Sequence, residues 1–212
     1  MKFLGLFVIL LGAWAMAAAP DAGLNLTAKI ANVSGAPADA RIEILRWSSD
    51  EERAQLLNAW ELRAATGPAN AKGKAAAKGK AAGRGDAAAS APLTPEASLA
   101  TALDGAATVG YVWATEVSGY AIRYAGRTQA ADGSQRIVLI TQRRLGAMNH
   151  AWDPAAGEAN KYPFSVIELR LDAKNAGEGR ASLTGKLAVD PGVKMVTPDS
   201  AAPVVFREVK GK

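Results

Sequence analysis

Residues 179–189 read GRASLTGKLAV. Ala181, Leu183, Gly185, Leu187 and Val189 alternate there with Ser182, Thr184, Lys186 and Ala188. A period of two marks a strand with one dry and one wet face. A wet face implies antiparallel pairing, because parallel sheets are covered on both sides. Working outward, the same signal recurs over residues 24–31, where Leu24, Leu26, Ala28 and Ile30 alternate with Asn25, Thr27, Lys29 and Ala31. Residues 41–47 (RIEILRW), 109–115, 120–128, 135–142, 164–172 and 204–209 complete eight strand segments, and 193–197 adds a short ninth. Asp132-Gly133 and Asn175-Ala176-Gly177 sit where tight turns need residues tolerant of positive φ.

Two helices interrupt the strands. Ser49 with Glu52 forms a capping box, and Asp50-Glu51-Glu52 is an acidic first turn that suits the helix dipole. Leu56, Leu57 and Trp60 follow at helical spacing, which predicts a helix over 50–65. Thr94-Pro95-Glu96 starts a second helix that carries Leu99 and Leu103 on one face and stops at Asp104-Gly105. There is no βαβ repetition, so Rossmann and TIM-barrel folds are excluded. The expected fold is mainly β (α+β): a curled antiparallel sheet or β-barrel of about eight strands, with a helical pair inserted after the second strand. A β-sandwich is the alternative.

The chain has 212 residues, no Cys and one His. That excludes a disulfide framework, a thiolate nucleophile, a zinc finger and any centre that needs two imidazoles. The N-terminus has the three-part layout of a secretory signal peptide: Met1-Lys2, an uncharged apolar run, then Ala15-Met16-Ala17-Ala18-Ala19-Pro20. Cleavage is expected after Ala17, making residues 1–17 the leader and 18–212 one β-rich domain of an exported, periplasmic or extracellular protein. The alternative is an uncleaved anchor at the lower edge of spanning length.

Residues 67–92 are a low-complexity Ala/Gly/Lys stretch without apolar periodicity, expected to be disordered. Lys72, Lys74, Lys78, Lys80 and Arg84 against Asp86 give it a net charge of +4. The whole chain is +5 and Lys2 lies in the leader, so the folded remainder is neutral. The basic character therefore belongs to the insertion. It is read as a tolerated surface insertion or as a segment for weak contact with anionic surfaces, not as a specific nucleic-acid site, which would need aromatic side chains among the cations. Arg84-Gly85-Asp86 is an adhesion tripeptide whose occurrence here is explained by composition.

Arg46-Trp47-Ser48-x-Asp50-x-Glu52-Arg53, Gly110-Tyr111, Gly119-Tyr120-x-Ile122-Arg123-Tyr124-Ala125, Arg136-Ile137-Val138-Leu139 and Tyr162-Pro163-Phe164-x-x-Ile167-Glu168-Leu169-Arg170-Leu171-Asp172 form a set. With it the chain resembles a family of secreted bacterial proteins of unknown function from acidobacteria and similar soil lineages. The resemblance spans most of residues 40–190. It implies two helices joined directly, without the Ala/Gly/Lys insertion, and it brings no activity, ligand or site residue.

Candidate chemistry falls in three places. His150, Trp152 and Asp153 share the long connection 143–161, with Glu158 as the nearest further carboxylate. A His beside an Asp serves as a base or metal ligand, though a metal needs more ligands than these; a surface loop with Trp152 tucked against the sheet is the competing reading. Strand charges are the second: Glu43, Arg123, Glu168 and Arg170. Glu168 and Arg170 point to one side, opposite Ile167, Leu169 and Leu171. That side is expected to face water; around a polar lumen the same residues would grip an anionic or sugar-like ligand, and a carboxylate pair would suit a glycosidase. Third, Tyr111, Trp113, Tyr120 and Tyr124 cluster on two strands, with Tyr120, Ile122 and Tyr124 expected on one face, for packing or for ligand stacking. No Gly-x-Ser-x-Gly elbow occurs, and the glycines around Gly73 lack the Lys-Ser/Thr of a phosphate loop. The functional expectation is a non-enzymatic module, without cofactor or metal, that binds a small or amphipathic ligand or an envelope partner. A carboxylate-based hydrolase and a structural envelope protein with a basic linker are the alternatives.

Overall fold

The structure, a computed structural model, describes residues 23–62, 94–148 and 152–212. The leader, the 67–92 insertion and His150 lie outside the described residues. In chain order the elements are β1 (Leu24–Ile30), β2 (Val33–Ser34), β3 (Asp39–Ile44), α1 (Asp50–Trp60), α2 (Pro95–Gly105), β4 (Gly110–Trp113), β5 (Gly119–Gln129), β6 (Gln135–Thr141), β7 (Asp153–Pro154), β8 (Ser165–Leu171), β9 (Gly177–Ala181), β10 (Leu187–Asp190), β11 (Met195–Pro198) and β12 (Val204–Gly211).

Eight of these strands close an antiparallel barrel in the order β1-β12-β9-β8-β6-β5-β4-β3. Closure removes every free edge from the main sheet. The helical pair follows the second barrel strand, which is the third strand of the chain because the two-residue β2 precedes it. The capping box at Ser49 and the Thr94 cap with Pro95 at the first helical position both form. α1 stops at Trp60, short of residue 65, and Leu62 already has φ 54°. The β5–β6 turn uses Gly133 at φ 83°, and the β8–β9 turn uses Asn175 at φ 60°, with Asp172 Oδ1 accepting from the backbone N–H of Lys174 and Ala176.

The barrel interior is filled by apolar side chains. Leu26, Ile42, Val112, Ile122, Leu139 and Leu169 are fully buried members of this inner cluster. The polar-lumen alternative therefore has no lumen. A second cluster lies outside the wall: Leu56, Leu99 and Leu103 from the helices and Leu187, Met195 and Val196 from the β10–β11 hairpin pack on Val138, Ile140, Phe164 and Val166. β6 and β8 are thus covered on both faces, which accounts for the unbroken Ile137-Val138-Leu139-Ile140 run.

Two expectations are corrected. Residues 179–189 are not one strand. β9 ends at Ala181, and the chain turns before β10 begins at Leu187. Gly185 makes the turn at φ 74°, against the Asp199 carboxylate, which accepts the Lys186 N–H at 3.0 Å. Leu183 consequently enters the inner cluster and Leu187 the outer one. Second, Tyr124 does not share a face with Tyr120 and Ile122. A register shift between Ile122 and Tyr124 in the β5–β6 ladder places Arg123 and Tyr124 consecutively on the outer side.

Candidate ligand site

The sequence candidates separate into distinct environments. Trp152 is buried at one end of the barrel, 6.2 Å from Tyr120 in an edge-to-face pair. The Tyr120 hydroxyl accepts the Gly146 N–H at 2.9 Å, so this aromatic pair pins the loop after β6 over the barrel end. Asp153 is exposed, in the short β2–β7 ladder. Arg144 holds the same loop through Asn160 Oδ1 at 2.8 Å, and burial pushes its guanidinium pKa down. Among the described residues no three carboxylates or imidazoles converge as a metal site would require.

Glu168 does not face water, as its strand position suggested; it is 3 % exposed. Arg136 Nε donates to its Oε1 at 2.9 Å and Arg170 Nε at 3.0 Å. Arg136 also reaches Asp190 at 2.7 Å, and that contact holds the Asp190 carboxyl below the usual range. The hairpin covers the outer face of β8, and this chain of charges ties it down. Tyr124 is buried beneath α1, and burial raises its hydroxyl pKa.

Arg123 stands apart. It lies on the outer face of β5, half-buried, at the floor of a cleft of about 620 Å³ between α1 and α2. Leu56, Ala59, Ala102, Ala106 and Ala107 form the apolar walls, and Gln55, Asn58, Ser98 and Thr101 form the rim. The guanidinium is held by neutral acceptors: Nε and Nη2 donate to Gln142 Oε1 at 3.2 and 2.6 Å, and Nη1 to Ala106 O at 2.7 Å and Thr108 Oγ1 at 2.9 Å. Four of its five N–H groups are used, leaving one on Nη2. No ion pair to Arg123 occurs among the described residues. Glu52, the carboxylate lining the cleft, is engaged by Arg46 through contacts of 2.7 and 2.8 Å. A rigid, partly desolvated cation without a carboxylate partner favours an anion.

On the same outer surface Tyr111 and Trp113 project from β4, with ring centroids 5.2 Å apart. Trp113 Nε1 donates to Glu43 Oε2 at 3.1 Å, and the Arg41 guanidinium lies 5.3 Å from the Trp113 ring centre. The strand-charge signal therefore pointed to Arg123. The cleft walls escaped it, because scattered alanines at helix ends carry no sequence signature; only the two-helix pairing would have located them. The chain matches no family model, no curated protein and no solved structure.

Proposed function

We propose that the protein is an exported, non-enzymatic binding module whose α1–α2 cleft takes a small amphipathic anion. The carboxylate-like head meets Arg123 and the apolar tail lies between Leu56, Ala59 and Ala102. One observation carries this reading: the cation at the floor of an apolar-walled cleft is positioned by neutral acceptors and lacks a carboxylate of its own. The volume falls within the range of small-ligand sites. The filled barrel supports a ligand held on the outside of the wall. The signal-like leader supports export, and among the described residues no helix is long and apolar enough to cross a membrane. The basic insertion, through Lys72, Lys74, Lys78, Lys80 and Arg84, adds weak, salt-sensitive contact with anionic envelope surfaces.

Calorimetric titration with laurate below its critical micelle concentration tests the cleft. Saturable one-to-one binding is expected. Arg123→Gln should weaken it by about 10- to 100-fold, the loss of one charged hydrogen bond. Ala102→Leu, a helix-compatible substitution, should weaken it by filling the cleft. Absence of binding, or undiminished binding in both variants, would contradict the reading.

A further inference from the structure

Gln142 leaves Arg123 its charge. It follows directly on β6, and its backbone N–H donates to Ala121 O at 2.9 Å, which fixes it to β5 beside Arg123. Its Oε1 accepts from both Arg123 Nε and Nη2, one oxygen meeting two donors as a carboxylate oxygen would. A glutamate has the same shape and would make the same contacts, but it would close the guanidinium in an ion pair. The amide supplies that geometry without the charge.

An amide has two ends of nearly one shape, and only one of them suits Arg123. A guanidinium has donors alone, so the oxygen must face it and Nε2 must face away. Asp104 holds the amide that way: Gln142 Nε2 donates to Asp104 Oδ1 at 3.1 Å. Asp104 stands in the last turn of α2, where a carboxylate opposes the helix dipole, so the helix gains nothing from its charge there. It is exposed, and water screens its charge, whereas Arg123 is half-buried. Glu52, the carboxylate among the cleft-lining residues, is engaged by Arg46.

We propose that Gln142 is the specificity-determining residue of the cleft and Asp104 its positioning residue. The inference rests on the cleft reading above. The relay from Asp104 through Gln142 fixes the guanidinium from outside and leaves its charge and the spare Nη2 N–H for the anionic head of a ligand. With a carboxylate in place of the amide, the protein would supply that anion itself.

Interchanging the two groups, Gln142→Glu together with Asp104→Asn, tests this. Net charge is kept, and the new amide can donate to the new carboxylate, so the chain of hydrogen bonds is kept as well. Titrated with laurate below its critical micelle concentration, the interchanged protein should bind about 10- to 100-fold more weakly than the native one, with an unchanged thermal midpoint. Gln142→Glu alone serves if the double variant loses its thermal transition, since the exposed Asp104 can turn to water. Asp104→Asn alone still offers an oxygen to Nε2 and should bind laurate as the native protein does. Asp104→Ala offers none; it should bind several-fold more weakly and exchange the Arg123 Nε–H proton faster. A through-space effect of the Asp104 charge would instead make both single variants tighter. Native-like laurate binding after the interchange overturns the role of Gln142. Asp104→Ala and Asp104→Asn that match in affinity and in Nε–H exchange overturn the role of Asp104. If the native protein fails to bind laurate, the cleft reading falls and the role of Gln142 with it, while Nε–H exchange still decides whether Asp104 positions the relay.

Discussion

The barrel has two kinds of wall. Around β6 and β8 the outer face is clad by two helices and a hairpin, and Val138, Ile140, Phe164 and Val166 are buried there as deeply as the interior. Around β1, β3 and β4 the outer face is bare, carrying Asn25, Thr27, Lys29, Arg41 and Glu43 in the simple alternation of a half-buried sheet. The clad wall is where stability is concentrated. The bare wall is free to present chemistry. Arg123 sits at the seam, on a strand that meets the helices on its outer face and pairs with β4, the strand that carries Tyr111 and Trp113. A cleft forms there because the second layer stops, and short alanine side chains at the end of α2 do not fill the gap.

The contrast is testable as stability. Phe164→Ala in the clad wall should cost about 3–5 kcal/mol in urea unfolding, since the ring is fully buried and its site cannot collapse without moving both layers. A loss below about 1 kcal/mol would mean the second layer is loosely held.

The charge network that ties the cladding down should give an intermediate effect. Glu168→Gln leaves Arg136 with Asp190 but removes two charged hydrogen bonds from a buried carboxylate, at a cost of about 1–3 kcal/mol. The network also sets a pH dependence. Arg136 lowers the Asp190 pKa from 3.8, and Arg46 lowers that of Glu52 from 4.5. A lowered carboxyl pKa contributes stability that is present above the unfolded value and is lost as pH falls through the folded one. Stability should therefore decline on acidification below about pH 4.5, and Asp190→Asn should flatten part of that decline. An unchanged acid profile in that variant would break the link between hairpin and barrel.

These expectations also show which features could be read from the chain. The barrel was legible because alternation, tight-turn residues and helix caps are local, and residues such as Ser49, Thr94, Gly133 and Asn175 act within a few positions of themselves. What stayed hidden depends on contacts far along the chain. The 179–189 alternation is real in sequence, yet Gly185 breaks it because Asp199 waits opposite. Tyr124 changes side through a bulge that no residue type announces. Glu168 looked solvated because Arg136, which binds it, lies 32 positions away, and the hairpin that covers its face, tied to Arg136 through Asp190, comes later still in the chain. Of the candidate site, Arg123 was visible as a charge in a strand. Its environment was not, because Ala106, Thr108 and Gln142 reach it only once the barrel closes.

The bare wall should give the smallest effect. Thr27→Ala removes a half-buried hydroxyl from a face with no second layer, and its change should stay within about 0.5 kcal/mol. A cost comparable to that of Phe164→Ala would erase the distinction between the walls.

The central claim is that Arg123, at the seam, is the anion-recognising group. It is tested most directly by following the Arg123 Nε–H resonance in a proton–nitrogen correlation spectrum while laurate is added. Its hydrogen bond to Gln142 makes that proton slow to exchange and observable. A saturable shift of this resonance is expected together with the backbone amides of Ala59, Ala102 and Ala106, with little change at Thr27 or Lys29. An Arg123 resonance that stays still while laurate binds elsewhere, or while nothing binds, would contradict it.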